Sequence, residues 1–210
     1  DPIKISRLTI ENRSGRPRRL SVTAYLEWVL GVSRSATAPF IVTELDAETG
    51  ALFARNVWNS EFGDRIAFID LGGSQTHWTG DRTEFLGRHG ALNSPAALTR
   101  GEPLSGKVGA GLDPCGVMQT MIDLRVGGRA EVVCFLGQAA TREEATALIK
   151  RYRAADLNAT LDAVTDHWDV VLGAVQVTTP DRAMNILLNR WLLYQTLACR
   201  VWARTAFYQA

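Results

Sequence analysis

Apolar residues at Ile3, Ile5, Leu8 and Ile10, with polar residues between them, give residues 3–10 the near-alternation of a half-buried strand. After a turn at Gly15, Arg16 and Pro17 the two-residue period resumes over residues 19–30, with Leu20, Val22, Ala24, Leu26 and Trp28 on one face. Residues 40–45 and 52–57 flank a five-residue connection, Asp46 to Gly50, and read as a hairpin. Residues 65–71 form another strand, closed by Gly72 and Gly73. Strands over 117–126 and 129–136 meet at Gly127 and Gly128, the pair that a tight hairpin favours. So many short strands separated by turn signals predict a mainly β, antiparallel two-sheet sandwich rather than a parallel α/β sheet.

The pattern changes at Thr141. Thr141 and Glu144 have the spacing of a capping box and open a helix to about residue 153. A second helix over 157–171 places Leu161, Val164, Trp168 and Leu172 near helical spacing, and an extended link follows at 175–179. Thr179 as N-cap, Pro180 at the first helical position and Asp181 in the first turn then start a last helix. Met184, Leu187, Leu188, Trp191, Leu192, Tyr194, Leu197, Val201 and Trp202 make it apolar on nearly every side, so it needs burial all round. Nothing else in the sequence could wrap it. The chain therefore reads as part of a larger protein: a sandwich at 1–138, a helical linker at 139–178 and, at 179–210, the first helix of a further helical domain. By itself such a helix exposes an apolar stripe, which predicts a homo-oligomer.

Composition narrows the function. The chain has 210 residues, with 23 basic against 22 acidic, which gives no electrostatic case for nucleic acid. Arg16, Arg18 and Arg19 read as a solvated turn. No uncharged apolar run is long enough to span a membrane, so no membrane contact by this segment is expected. Cys115, Cys134 and Cys199 share no metal spacing and read as reduced thiols of a cytoplasmic protein, one disulfide being the alternative. His77, His89 and His167 lack ligand spacing, no nucleophile motif is present, and the glycines of 106–111 do not match a phosphate loop. No catalytic residue, metal or cofactor is expected from these motifs.

Two constellations suit a ligand. Segments 58–64, 75–81 and 85–88 mix aromatic and polar residues between strands, and Trp58 and Trp78 could stack on a sugar while amides and carboxylates bind its hydroxyls. Structural packing of both tryptophans is the alternative. Arg200 and Arg204, four apart on the last helix, could clamp an anion, or bond to carboxylates and backbone of a further domain.

The strings FLGR at 85–88, LDPC at 112–115, FLG at 135–137, TPD at 179–181, NRWLLYQ at 189–195, RVWAR at 200–204 and FYQ at 207–209 resemble glycoside hydrolase family 94. That family contains cellobiose, chitobiose and related phosphorylases. The resemblance covers almost the whole chain and is strongest from Thr179 onward. It implies a β super-sandwich of the galactose-mutarotase-like kind, a helical linker and the first helix of an (α/α)6 barrel. It also implies inverting phosphorolysis of β-glucans, with inorganic phosphate as co-substrate and a general-acid Asp beyond this segment. Arg204, Tyr208 and Gln209 would lead into the donor site, with Arg200 near them. The segment alone would be inactive, a scaffold and interface domain with β-glucan oligosaccharide and the rest of the parent chain as partners. The alternative is a stand-alone carbohydrate-binding module for β-glucan. Free mutarotase activity is disfavoured, because fold does not fix function.

Overall fold

A computed structural model describes residues 1–202, Arg200 by its backbone alone. Contacts divide the chain into two units, Asp1–Ala154 and Ala155–Ala210.

Among the described residues of the first unit, eight strands form two antiparallel sheets. One has the order β1 (Ile3–Glu11), β8 (Arg129–Ala139), β5 (Ile66–Asp70), β4 (Leu52–Asn56), β3 (Ile41–Leu45). The other has the order β2 (Arg18–Glu27), β7 (Pro114–Leu124), β6 (His77–Asp81). Alternation along each strand sends one set of side chains into the space between the sheets. Trp28, Ile41, Leu52, Ala54, Ile69, Leu71, Met118 and Val132 form that core, with Val22, Ala24, Leu26 and Leu136 packed against it. The mainly β sandwich and the β3–β4 hairpin are as the pattern predicts, with Leu45 opposite Leu52.

Two local expectations change. Gly127 and Gly128 do not close a hairpin: β7 pairs with β2 and β6, whereas β8 pairs with β1 and β5. The chain crosses between sheets here, so Met118 of β7 and Val132 of β8 share one core, with Ile122 and Leu136 packed against it, instead of pairing along a ladder. The glycines serve the crossover, Gly127 with φ +70°. Residues 77–81, expected between strands, form the edge strand β6, with Trp78 opposite Met118.

Asn12 holds the crossover. It is 5% exposed, and its side-chain amide donates to the carbonyls of Arg16, Leu124 and Arg125 at 2.9–3.1 Å. Its Oδ1 accepts from the Ser14 backbone at 3.1 Å. Its backbone exchanges bonds with Gly128 and Gly127 at 2.9 and 3.0 Å. The β1–β2 and β7–β8 crossovers are thus bonded to each other through one residue.

The five-stranded sheet is buried on its second face as well. Phe53, Phe68 and Phe135 lie there, and α4 (Arg142–Ala154) brings Ala145 and Ile149 to zero exposure. Gly137 is needed, since a Cβ there would stand 2.5 Å from Phe68 Cζ. The helix is fastened by charge: Arg153 forks onto the fully buried Asp70 at 2.6 and 2.9 Å, and Arg142 pairs with Glu44 and Asp46. Asp70 also accepts from Gly72 N and Gln75 Nε2, so the buried carboxylate is satisfied. The capping box is present in altered form: Thr141 Oγ1 accepts from Glu144 N, but the Glu144 carboxylate reaches Ala140 N rather than Thr141 N.

In the second unit α5 (Leu157–Leu172) is capped by Asp156. The last helix starts later than Thr179. Asp181 is its N-cap, accepting from Ala183 N and Met184 N, so Pro180 precedes the cap instead of opening the first turn. After α6 (Arg182–Ile186) the backbone widens into π-helical turns at Leu187–Trp191 and Thr196–Trp202, on either side of α7 (Leu192–Gln195). The link before it is pinned by asparagines one turn apart. Asn185 bonds both backbone groups of Thr179, and Asn189 those of Val177, at 2.7–3.2 Å.

Asn12→Ala orphans the Leu124 and Arg125 carbonyls at the crossover, and chemical denaturation should show a loss of about 2 kcal/mol or more. Asn12→Asp, which keeps the shape but cannot donate, should lose at least as much.

Candidate functional site

The exposed chemistry of the first unit gathers on two connections, residues 28–40 and 57–65. β2 ends at Glu27, and the chain bends through Leu30, at φ +41°, into α1 (Arg34–Thr37), capped by Ser33. A left-handed leucine costs about 1 kcal/mol; here Asn56 Nδ2 donates to its carbonyl at 2.9 Å. Gly31 is required, because a Cβ would meet Thr37 Cγ2 at 2.5 Å. Asn56 Oδ1 then accepts from Trp58 N, and Asn59 Oδ1 from Glu61 N and Phe62 N, which winds the second connection into tight turns.

These turns present aromatic faces. Trp58 is 74% exposed and stacks on Phe40 with centroids 5.3 Å apart and planes 19° off parallel. Phe62, 48% exposed, carries the Arg65 guanidinium over its ring at 5.8 Å. A cavity of about 470 Å³ opens here, bordered by Leu30, Asn56, Asn59, Phe62, Arg65 and Gln138. Its polar border is amides and one guanidinium, with no carboxylate. That combination suits a neutral polyhydroxylated ligand, with a C–H face on Phe62 and hydroxyls on the amides, while the Trp58–Phe40 stack lies outside the cavity border. It has no acid–base pair for bond cleavage.

A charged cluster supports the first connection. Glu27 accepts from Tyr25 Oη at 2.6 Å, Arg34 Nε at 2.7 Å and Arg82 Nε at 2.8 Å, and Asp113 pairs with both arginines. Tyr25 stacks on Phe85 of α2 (Arg82–Leu86) at 5.1 Å. The Tyr25 hydrogen bond, followed by the arginines, holds the Glu27 carboxyl below its usual range; burial and the same contact push the Tyr25 phenol up. α3 (Ala96–Arg100) follows, and Phe85, Leu86, Leu104, Cys115 and Val117 close a small second core. Burial pushes the Cys134 thiol up to about 11, and the Cys115 thiol higher still, so neither suits a nucleophile.

The sequence-derived candidates are dispersed. Trp58 follows β4 in one sheet and is open to ligand. Trp78 lies in β6 of the other sheet, half-buried and packed against the main core. Phe85 is buried. The side chain of Arg200 and all of Arg204, Tyr208 and Gln209 lie outside the described residues. Leu30, Gly31, Phe40 and Gln138 were not singled out in the sequence as site residues; only Phe40 carried a signal, as the aromatic that opens the strand read over 40–45. Among the described residues no cluster of His, Cys, Asp and Glu could hold a metal ion, and no helix is long and apolar enough to cross a membrane.

In the second unit Trp168 packs on Tyr194 and Trp202 with centroids 5.1 and 5.2 Å apart. Beside them Leu172, Asn189, Trp191 and Tyr194 border an open apolar cavity of about 570 Å³. This is a helix pair with one face closed and another bare.

Comparison with known proteins matches this arrangement. The family model for the glycosyl hydrolase 94 supersandwich domain covers residues 1–155, and that for the glycosyl hydrolase 94 superfamily catalytic domain covers residues 167–210. The chain belongs to the glycosyl hydrolase 94 family. It is 42% identical to the cyclic β-(1,2)-glucan synthase NdvB of Rhizobium meliloti (strain 1021), over 100% of this chain and 7% of that protein. It is 26% identical to the N,N'-diacetylchitobiose phosphorylase of Vibrio furnissii, over 94% of the chain and 25% of the relative. The solabiose phosphorylase of Paenibacillus borealis is 27% identical, over 95% and 26% respectively. The chain thus spans about a quarter or less of these curated relatives. As a glycosyl hydrolase 94 chain, it contains the supersandwich and a part of the catalytic domain.

Because the folded Glu27 carboxyl titrates below its unfolded value, its contribution to stability is present above the ordinary glutamate pKa of about 4.3 and is lost as pH falls through the folded value. Thermal melts should show wild type more stable than Glu27→Gln at pH 7, with the gap closing as pH falls below the ordinary glutamate range.

Proposed function

We propose that this chain supplies the supporting sandwich and the opening helices of a glycoside phosphorylase-like region that acts on β-glucans. The observation that carries the reading is the bare face of the second unit. Trp191, Leu192 and Val201 are all exposed, on helices matched by the catalytic-domain model. Apolar surface of that extent calls for cover, and the further helices of an (α/α)6 barrel would give it. The sandwich then acts as scaffold and interface, in a homo-oligomer.

In the parent, phosphate would attack the β-glucosidic bond with inversion while a protonated Asp outside this chain assists the leaving oxygen; phosphate takes the place that water holds in an inverting hydrolase. The likeness to a cyclic β-(1,2)-glucan synthase favours a role in glucan synthesis or length control. Arg204, Tyr208 and Gln209, with Arg200 less directly, are proposed for the wall of the donor site. Inorganic phosphate is the co-substrate, with no other cofactor, and the unbridged Cys115 and Cys134 suit a cytoplasmic setting.

The test compares this chain with one extended through the rest of the catalytic domain, reading sugar 1-phosphate release from β-1,2-gluco-oligosaccharides and inorganic phosphate. Release by the extended chain alone is expected; release by neither overturns the reading.

The Trp58–Phe40 stack favours a second role, in which the sandwich itself contacts glucan. Isothermal titration with β-1,2-gluco-oligosaccharides should show weak saturable binding that falls about tenfold in Trp58→Ala. Binding unchanged by that substitution would remove this role.

A further inference from the structure

At one end of the sandwich the β1–β2 crossover and the β7–β8 crossover run side by side, and between them lies a concavity of about 660 Å³. Arg18, Arg19, Arg125 and Arg129 border it, with Asp123 as the one acid. Arg18 and Arg19 come from the cluster that reads as a solvated turn in the sequence. The fold adds Arg125 and Arg129 from more than a hundred residues away.

The positive charge is barely compensated. Asp123 stands 3.8 Å from Arg19, with both side chains more than 70% exposed, a pairing worth little in water. Arg129 lies opposite Glu11 in the β1–β8 register, but Glu11 pairs with Arg13 at 2.8 Å. Arg18 donates to the Ser14 hydroxyl at 3.1 Å. Among the described residues no carboxylate pairs with Arg18, Arg125 or Arg129. Three of the four bordering arginines therefore have no carboxylate partner among the described residues and Arg19 holds one loosely, in a chain of net charge +1. Asn12 fixes the two crossovers beneath them through the carbonyls of Arg16, Leu124 and Arg125, and Arg18, Arg19 and Arg129 lie in the paired strands β2 and β8.

Guanidinium forks donate paired N–H bonds to tetrahedral oxyanions, and several forks around one concavity favour an anion of more than one charge. We propose that this corner is an anion site for phosphate groups, reached either by a free phosphorylated molecule or by the headgroups of an anionic lipid layer. Val126, exposed at the tip of the second crossover, could rest against a lipid layer without being needed for a free anion.

The experiment uses the 210-residue chain at low ionic strength. One arm titrates inorganic pyrophosphate by calorimetry; the other sediments the chain with vesicles of phosphatidylglycerol in phosphatidylcholine, against phosphatidylcholine alone. Binding in at least one arm is expected, weakening as salt rises and falling roughly tenfold or more in the double variant Arg125→Gln, Arg129→Gln. Arg55→Gln, exposed on β4 and outside the concavity, should bind as wild type does. Pyrophosphate binding assigns the site to free phosphates, and vesicle binding alone assigns it to lipid. A thermal melt checks that the double variant is folded, and Arg18→Gln with Arg19→Gln repeats the test from the other crossover. Absence of binding in both arms, or binding that survives both double variants, overturns the proposal.

Discussion

Two chain crossovers between the sheets must stack on each other without leaving backbone polar groups dry, and Asn12 meets that constraint. A crossover cannot use ladder bonds, and a buried carbonyl without a donor costs about 1–3 kcal/mol. One amide bonded to three carbonyls, and the N–H and C=O of the same residue bonded to the neighbouring crossover, satisfy the groups at the point where both strand pairs change sheet. Because β1 pairs with β8 and β2 with β7, this junction sets which residues of the two sheets face each other. The alternation within each strand then fills the core.

From that frame the five-stranded sheet takes a second cover. α4 brings Ile149 over the phenylalanines and Arg153 onto Asp70, an ion pair whose burial is tolerable because each carboxylate oxygen has further donors. The three-stranded sheet is covered on its outer side by α2, through Phe85 on Tyr25. Between these rigid parts Trp28 and Leu30 anchor the first connection in the core, and the rest of the connections at 29–40 and 57–65 is held mainly by polar bonds. Asn56 supports the strained Leu30, and Glu27 gathers two arginines and a tyrosine. Surface loops fixed in this way can present Trp58 and Phe62 to solvent without collapsing, as a contact site for a polyhydroxylated ligand requires.

The second unit answers to a different requirement. Its helices pack on each other through Trp168, Tyr194 and Trp202 and leave Trp191 and Leu192 exposed, in the stretch that the glycosyl hydrolase 94 superfamily catalytic-domain model matches.

The sequence by itself determined the β character, the strands with regular alternation, the β3–β4 hairpin and the place where strands give way to helices. These follow from local periodicity and turn chemistry, which neighbours in the chain control. It also carried the family strings and the aromatic segment from Trp58. Only the tertiary structure decided that Gly127 and Gly128 change sheets, since a glycine pair allows a tight turn whether or not the flanking strands pair. It decided as well that Trp78 belongs to an edge strand against the core, and that Asp181 caps the last helix, because Thr179 is engaged by Asn185. The cavity beside Asn56 and the arginine corner join residues tens to more than a hundred positions apart. Such contacts depend on strand order and crossover geometry, which are set by global packing and leave no local pattern to read.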